Sequence, residues 1–177
     1  MQTSVIFFII MPTILFSVLG CSHDIPKTPE INIFDAIGQK DVSVVKQHMA
    51  VGTNLNESFV PQGYPWAGAN VLHLAALVGN EEIFQLLIDN GGNIEIKAKD
   101  QPGGTPLQWA AFWGVQQSVE FIITAGANVN AKDNNGCTPL CATIVPNPFI
   151  YEKDKADFKG RIVRIQQILK VNGGRVE

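Results

Sequence analysis

A chain of 177 residues with a net charge of −3 and 46 % hydrophobic residues has the size of one domain and enough apolar side chains for a core. Its weak acidity and its lack of a lysine or arginine cluster argue against a nucleic-acid-binding protein. We therefore expect a folded domain that has no nucleic acid among its partners.

The N-terminal segment differs from the rest of the chain. Residues 1–20 contain no charged side chain, and their apolar run is too short for a bilayer-spanning helix, so we predict a secretory signal peptide. The tetrapeptide 18–21, Val-Leu-Gly-Cys, is similar to the lipobox of bacterial lipoproteins. This resemblance implies lipidation of Cys21 and a membrane anchor. Ser22 at the next position resembles lipoproteins sent to the periplasmic side of the outer membrane.

A short polar tether follows the predicted cleavage site. Residues 21–32 carry prolines and polar side chains, which would let the folded part stand off the bilayer. Residues 1–4 lack the positive charge usual at the start of a signal peptide. An unlipidated secreted protein and an uncleaved N-terminal anchor therefore stay open as alternatives.

Beyond the tether, one segment recurs about four times. The separation between a first-helix residue and the glycine after the second helix is 18 positions in three copies, between Phe34 and Gly52, His73 and Gly91, and Gln108 and Gly126. Such a period predicts stacked units, because one unit cannot bury its apolar face alone. In the last copy Cys141 and Gly173 are 32 positions apart, which predicts an insertion around residues 146–160.

Several motifs within these copies match one family. They are Gly-Gly-Thr-Pro-Leu at 103–107, Gly-Cys-Thr-Pro-Leu at 136–140, alanine pairs at 75–76 and 110–111, and Gly-Ala-Asn-Val-Asn at 126–130. From about residue 33 to 175 the chain resembles the ankyrin repeat family. The resemblance implies an all-α fold, an α-solenoid of about four helix-turn-helix repeats with short hairpin-like loops. The repeats would occupy about 33–64, 65–99, 100–132 and 133–177 of a domain at 33–177.

Local chemistry supports the same helices. Thr105 and Thr138, each followed by proline, are typical of N-caps with proline at the first helical position. Gly79 and Gly114 are predicted to end first helices in the left-handed conformation. Lys40 occupies the equivalent position of the first copy, which predicts a looser turn there. The predicted core comprises Val71, Leu72, Leu74, Ile83, Phe84, Leu86, Leu87, Val119, Phe121 and Ile122.

We expect neither a metal nor a cofactor. The three histidines do not share a helical face, and the adjacent carboxylates Glu81 and Glu82 are explained by a favourable position at a helix start. No nucleophile or phosphate-binding motif is present, so we expect no enzyme activity and no small-molecule substrate. Cys141 falls at the inward-facing position that His73 occupies, whereas Cys137 falls at an exposed one. The two could pair in an oxidising periplasm, but bridge geometry is demanding, so we predict two unpaired thiols.

The positions that ankyrin repeats vary to choose partners carry unusual side chains here. By this resemblance the partner-binding residues are Trp66, Leu77, Val78, Gln101, Pro102, Phe112, Trp113, Asn134 and Asn135. Aromatic side chains on a concave surface are common at the centre of protein interfaces. The alternative is that the insertion of the last copy, or the loop at 58–64, folds over the aromatic residues.

The predicted function is that of a membrane-tethered protein-protein interaction module of the bacterial cell envelope, with an unidentified protein partner. One alternative is an immunity or inhibitor protein that neutralises a toxic envelope enzyme. Another is a secreted effector that binds a host protein.

Overall fold

The computed structural model describes residues 27–176. The predicted signal peptide, the predicted lipidation site Cys21 and the first part of the tether lie outside the described residues. Within them, short turns join the two helices of the first three pairs, and longer loops join one pair to the next. The first of these loops contains a 3₁₀ segment at Leu55–Glu57 and an isolated antiparallel bridge between Phe59 and Asn70. The helices are α1 (Ile33–Gly38), α2 (Val42–Ala50), α3 (Val71–Val78), α4 (Glu81–Asp89), α5 (Pro106–Trp113), α6 (Gln116–Thr124), α7 (Pro139–Ala142) and α8 (Lys155–Val171).

These helices form two layers. The odd-numbered helices pack side by side, and each packs against the even-numbered helix that follows it. Between the even-numbered helices, Phe84 of α4 and Phe121 of α6 bring their ring centroids to 5.2 Å. The predicted all-α solenoid of stacked helix pairs is confirmed. The predicted core residues are buried, except Leu86, which is half-buried.

The helix starts follow the predicted chemistry. The side chain of Thr105 accepts a hydrogen bond from the backbone N–H of Gln108, and Thr138 does the same for Cys141. In both cases proline is the first helical residue, where its missing N–H leaves nothing unpaired.

The third helical residue joins consecutive repeats. His73 accepts a hydrogen bond from the backbone N–H of Asn70 and reaches the carbonyl of Gly104 in the next repeat at 2.9 Å. Gln108 likewise accepts from the N–H of its own N-cap residue and donates to the carbonyl of Cys137 in the repeat after it. In each case one buried polar side chain thus accepts the N–H of the N-cap residue and also bonds the following repeat, which fixes the register between the two repeats.

The turns after the first helices share one geometry. Gly79 and Gly114 have φ values of 65° and 69°, in the left-handed region as predicted. Lys40 has a φ of 58°, so its turn has the same conformation. The prediction of a looser turn in the first repeat is wrong. Lys40 adopts the left-handed conformation although this strains a residue that has a Cβ atom, as glycine does not.

The loops between repeats are hairpin-like and stack on one another. The N–H of Ala98 donates to the carbonyl of Gly104 across one loop. The N–H of Lys99 donates to the carbonyl of Gly68 in the preceding loop at 2.7 Å, and that of Asn134 donates to Pro102 at 2.9 Å. The loop tips therefore line up along one edge of the helix stack.

The insertion of the last repeat is part loop and part helix. Residues 143–151 connect α7 to a short 3₁₀ segment at Glu152–Asp154, and α8 then runs for 17 residues where the other second helices have 9. The first part of α8 extends to the turn between α5 and α6. There Arg161 donates a hydrogen bond to the carbonyl of Gly114 at 3.3 Å.

Candidate binding groove

Three of the aromatic side chains predicted to bind a partner come together on one side of the stack. Trp66 lies in the loop before α3, and Phe112 and Trp113 end α5. The ring centroids of Trp66 and Trp113 are 4.9 Å apart in an edge-to-face arrangement. Trp66 is 44 % exposed, and its φ of 64° costs about 1–2 kcal/mol for a side chain of this size. Strain that holds a half-exposed indole is typical of a functional position.

Trp109 belongs to the same cluster, although the sequence analysis did not select it as a site residue. It precedes Trp113 by four positions on α5, so both indoles leave the same face of the helix. Its ring centroid lies 6.2 Å from that of Trp66 and 5.0 Å from the ring of His73. The i,i+4 spacing of the two tryptophans was the sequence signal that could have identified it.

The insertion of the last repeat reaches these rings. Phe149 stacks on Trp113 with a centroid separation of 5.5 Å, and the side chain of Asn147 donates to the carbonyl of Phe112 at 3.3 Å. Phe149 itself is 67 % exposed. The insertion thus covers part of Trp113, as the alternative interpretation expected, whereas Trp66 remains exposed to solvent.

Together these residues line a cavity of about 640 Å³, called here the aromatic groove. Of the residues predicted from the sequence, it contains Trp66, Pro102, Phe112, Trp113 and Asn135. The structure adds side chains that were not predicted, namely Asp100, Gln108, Trp109, Asp133, Cys137, Cys141, Ala142, Val145 and Phe149.

A second cavity of about 710 Å³ shares Trp66 with the first as a lining residue. Leu77 and Val78, also predicted from the sequence, line this cavity with residues of α1 and of the loop at 60–65. Gln101 and Asn134 lie exposed at the loop tips, and the side-chain oxygen of Asn134 accepts a hydrogen bond from Lys97 at 3.4 Å. The predicted residues therefore divide between two cavities, which share Trp66, and the exposed loop tips.

The repeats of this chain match a known family of proteins. A sequence model described as ankyrin repeats, in three copies, matches residues 33–133, which is more than half of the chain. The chain belongs to the ankyrin repeat family. Its helix pairs and stacked loops are those of an ankyrin-repeat protein-binding module.

The similar curated proteins match only part of this chain. A probable palmitoyltransferase AKR2 of Saccharomyces uvarum is 32 % identical over 44 % of this chain and 11 % of its own length. Human Rabankyrin-5 is 43 % identical over 30 % of the chain and 5 % of its length. A putative E3 ubiquitin-protein ligase XBAT31 of Arabidopsis thaliana is 30 % identical over 66 % of the chain and 24 % of its length. The chain thus spans a quarter or less of each of these relatives.

The two cysteines that follow the matched repeats correct the sequence prediction. Cys137 and Cys141 form a disulfide, with their Cα atoms 5.3 Å apart, so the prediction of two unpaired thiols is wrong. Cys141 is the third residue of α7, and a side chain there points back towards the chain that enters the helix. His73 and Gln108 use the same direction for hydrogen bonds, whereas Cys141 meets a second cysteine. Both cysteines line the aromatic groove.

Burial perturbs one titratable group beside the groove. His73 is fully buried, and desolvation lowers its pKa from 6.5 to about 4, although its hydrogen bonds with Gly104 and Asn70 act in the opposite direction. Among residues 27–176 no group of three or more histidine, cysteine, aspartate or glutamate side chains is placed to hold a metal ion. No helix in the same range has the length and apolar character needed to cross a membrane.

Proposed function

We propose that this ankyrin-repeat protein binds a protein partner in the aromatic groove, and that it acts by binding and not by catalysis. The observation that carries the proposal is the clustering of Trp66, Trp109, Trp113 and Phe149 around an open apolar cavity. Large aromatic side chains contribute most to interface affinity when they lie at the centre of a contact. An unpartnered cluster of this kind on a repeat stack supports a docking surface for another protein.

Replacement of Trp113 tests this surface. Trp113→Ala removes the ring that contacts both Trp66 and Phe149, so partner binding should weaken by about thirtyfold or more. We would capture proteins from an envelope extract with the wild-type domain and with Trp113→Ala, and compare them by quantitative mass spectrometry.

Tyr151→Ala is the matched control, because Tyr151 is 75 % exposed and lies outside both cavities. This variant should retain the partner, and both variants should keep their helical circular dichroism. If Trp113→Ala unfolds the domain while the folded fraction still binds the partner normally, the ring belongs to the core and the groove is not the docking surface.

We further propose that the domain is tethered to an envelope membrane through a lipid on Cys21. The lipobox-like tetrapeptide at 18–21 motivates this proposal. The disulfide between Cys137 and Cys141 supports export, since such bonds persist in oxidising compartments.

Replacement of Cys21 tests the tether. In a bacterial host, Cys21→Ala should move the protein from the membrane fraction to the soluble fraction and remove the acyl mass from the mature N-terminus. An unchanged mass and an unchanged distribution between the fractions would contradict lipidation.

A further inference from the structure

The charged side chains that line the aromatic groove are all acidic. Asp100 and Asp133 lie at successive loop tips, before α5 and α7, and no lysine or arginine is among the residues that line this cavity. The remaining lining is mostly aromatic and aliphatic. The groove therefore combines apolar walls with two negative charges at its edge.

Both carboxylates are held in place without being neutralised. One oxygen of Asp100 accepts the N–H of Gly103 at 2.8 Å, and one oxygen of Asp133 accepts the N–H groups of Asn135 and Cys137. Across residues 27–176 the ion pairs involve other carboxylates, those of Glu57, Glu82, Glu152 and Asp157. Within the described part of the chain, no hydrogen bond or ion pair engages the second oxygen of either aspartate, and both residues are partly exposed.

The aromatic walls favour the same kind of ligand. The face of an indole ring carries negative electrostatic potential, which attracts a cation, and tryptophan does so more strongly than other side chains. The ring centroid of Trp66 lies 6.2 Å from that of Trp109 and 4.9 Å from that of Trp113, at interplanar angles of 57° and 84°, so both faces and edges of indole rings border the cavity. A planar cation would find both a ring to stack on and a carboxylate to pair with.

We propose that the aromatic groove binds an arginine side chain from an extended, apolar segment of the protein partner. Arginine fits better than lysine because its planar guanidinium stacks on aromatic rings and pairs with a carboxylate through two hydrogen bonds. The cavity, at about 640 Å³, is larger than one arginine side chain and leaves room for the neighbouring apolar residues of the segment. This inference rests on the proposed function, since it names the chemistry of the partner at the same surface.

The chain carries its own reporter for this site. All three of its tryptophans, Trp66, Trp109 and Trp113, line the aromatic groove. Tryptophan fluorescence and the three indole N–H signals in an NMR spectrum therefore report on this groove, and the signals of Trp109 and Trp113 separate it from the second cavity, which Trp66 alone of the three also lines.

The experiment compares peptides that differ only in charge at one position. The probes are the blocked pentapeptide Gly-Leu-Arg-Leu-Gly and the same peptide with citrulline, a neutral analogue of arginine, at the centre. The arginine peptide should shift the indole signals and bind about tenfold more tightly than the citrulline peptide, and raised salt should reduce the difference. N-acetylarginine amide, which lacks the apolar neighbours, should bind more weakly than the arginine peptide.

The double variant Asp100→Asn/Asp133→Asn tests whether these two carboxylates cause the preference for arginine. Asparagine keeps the oxygen that accepts the loop N–H groups, so the loops should stay folded while the preference for arginine over citrulline disappears. Asp89→Asn is the control, because Asp89 is exposed on α4 and outside both cavities.

Three outcomes would overturn the inference. In the first, both peptides bind equally well and Trp113→Ala abolishes the binding of each. The groove would then bind protein segments without selecting a cation, and the proposed function would remain intact. Equal affinity of N-acetylarginine amide and the arginine peptide would assign the groove to a free cation instead. No shift of any indole signal by the arginine peptide would remove arginine binding, and the capture experiment with Trp113→Ala would then decide the proposed function by itself.

Discussion

At the scale of single residues, His73 shows how one side chain links two ankyrin repeats. The N–H of Asn70 donates to Nδ1 of the ring, so the ring proton must lie on Nε2, where it is donated to the carbonyl of Gly104. The hydrogen bond that Nδ1 accepts therefore requires a neutral imidazole. A second proton would remove the acceptor that caps α3 and place a charge in the buried region between repeats.

This requirement predicts that the folded protein loses stability in acid. The pKa of His73 is about 4 in the folded protein and about 6.5 when unfolded, so the unfolded chain binds more protons between these values. The neutral ring makes its full contribution to the free energy of unfolding above about pH 6.5. As the pH falls towards 4, the free energy of unfolding decreases by up to about 3 kcal/mol.

Glutamine at the same position provides the matched variant. Gln108 makes the corresponding two bonds in the next repeat, so His73→Gln should keep the fold near pH 7 and lose the part of the acid sensitivity that the histidine causes. Urea titrations of both proteins between pH 7.5 and pH 4 measure the difference. Parallel stability curves would show that His73 does not titrate as proposed.

At the scale of elements, the turn between paired helices is set by one left-handed residue. Gly79, Gly114 and Lys40 share this conformation but differ in their surroundings. A Cβ atom at Gly79 would meet Val115 at an ordinary 3.5 Å, whereas one at Gly114 would come within 2.8 Å of the Phe158 ring of α8. The long last helix thus depends on a glycine in the preceding repeat.

Three substitutions separate backbone strain from this contact. Gly79→Ala should cost about 1 kcal/mol from the left-handed backbone alone, and Gly114→Ala should cost about 1 kcal/mol more, because Phe158 must move. Lys40→Gly should be neutral or stabilising by up to about 1 kcal/mol. Denaturant titrations give all three values, and equal costs for the two alanine variants would place Phe158 away from the turn.

At the scale of the whole molecule, each repeat is stable because its neighbours cover it. Within residues 27–176 the last helix of the stack is α8, whose Ile165 and Leu169 are fully buried. The helix packs against α6 and α7 and carries the insertion that reaches Trp113. The fourth repeat thus contributes to the core and also forms one wall of the groove.

A core substitution in α8 tests this role. Ile165→Ala should destabilise the domain by about 2–4 kcal/mol, since it leaves a cavity at the last interface of the stack. Val163→Ala, on the exposed side of the same helix, should change stability by less than about 0.5 kcal/mol. Similar values for the two variants in urea titrations would mean that α8 does not complete the core.

The sequence alone determined the features that depend on neighbouring residues. The repeat period, the threonine N-caps before proline, the left-handed glycines and the buried stripes were all predictable, because each is set within one or two helical turns. The same reasoning placed Trp66, Phe112 and Trp113 on one side through the repeat register. It failed at Lys40, where the surrounding turn imposes a conformation that the residue itself disfavours.

Tertiary structure decided what lies between distant segments. Trp66, Trp109 and Phe149 come from the second, third and fourth repeats, and only the stacking of those repeats brings their rings around one cavity. The path of the insertion was not encoded in any local pattern, so neither the stacking of Phe149 on Trp113 nor the extension of α8 to Gly114 could be predicted. The disulfide, though local, depended on the direction in which Cys141 leaves α7, and that direction is fixed by the start of the helix. The groove is therefore a product of the stack, because its walls are supplied by residues that no single repeat contains.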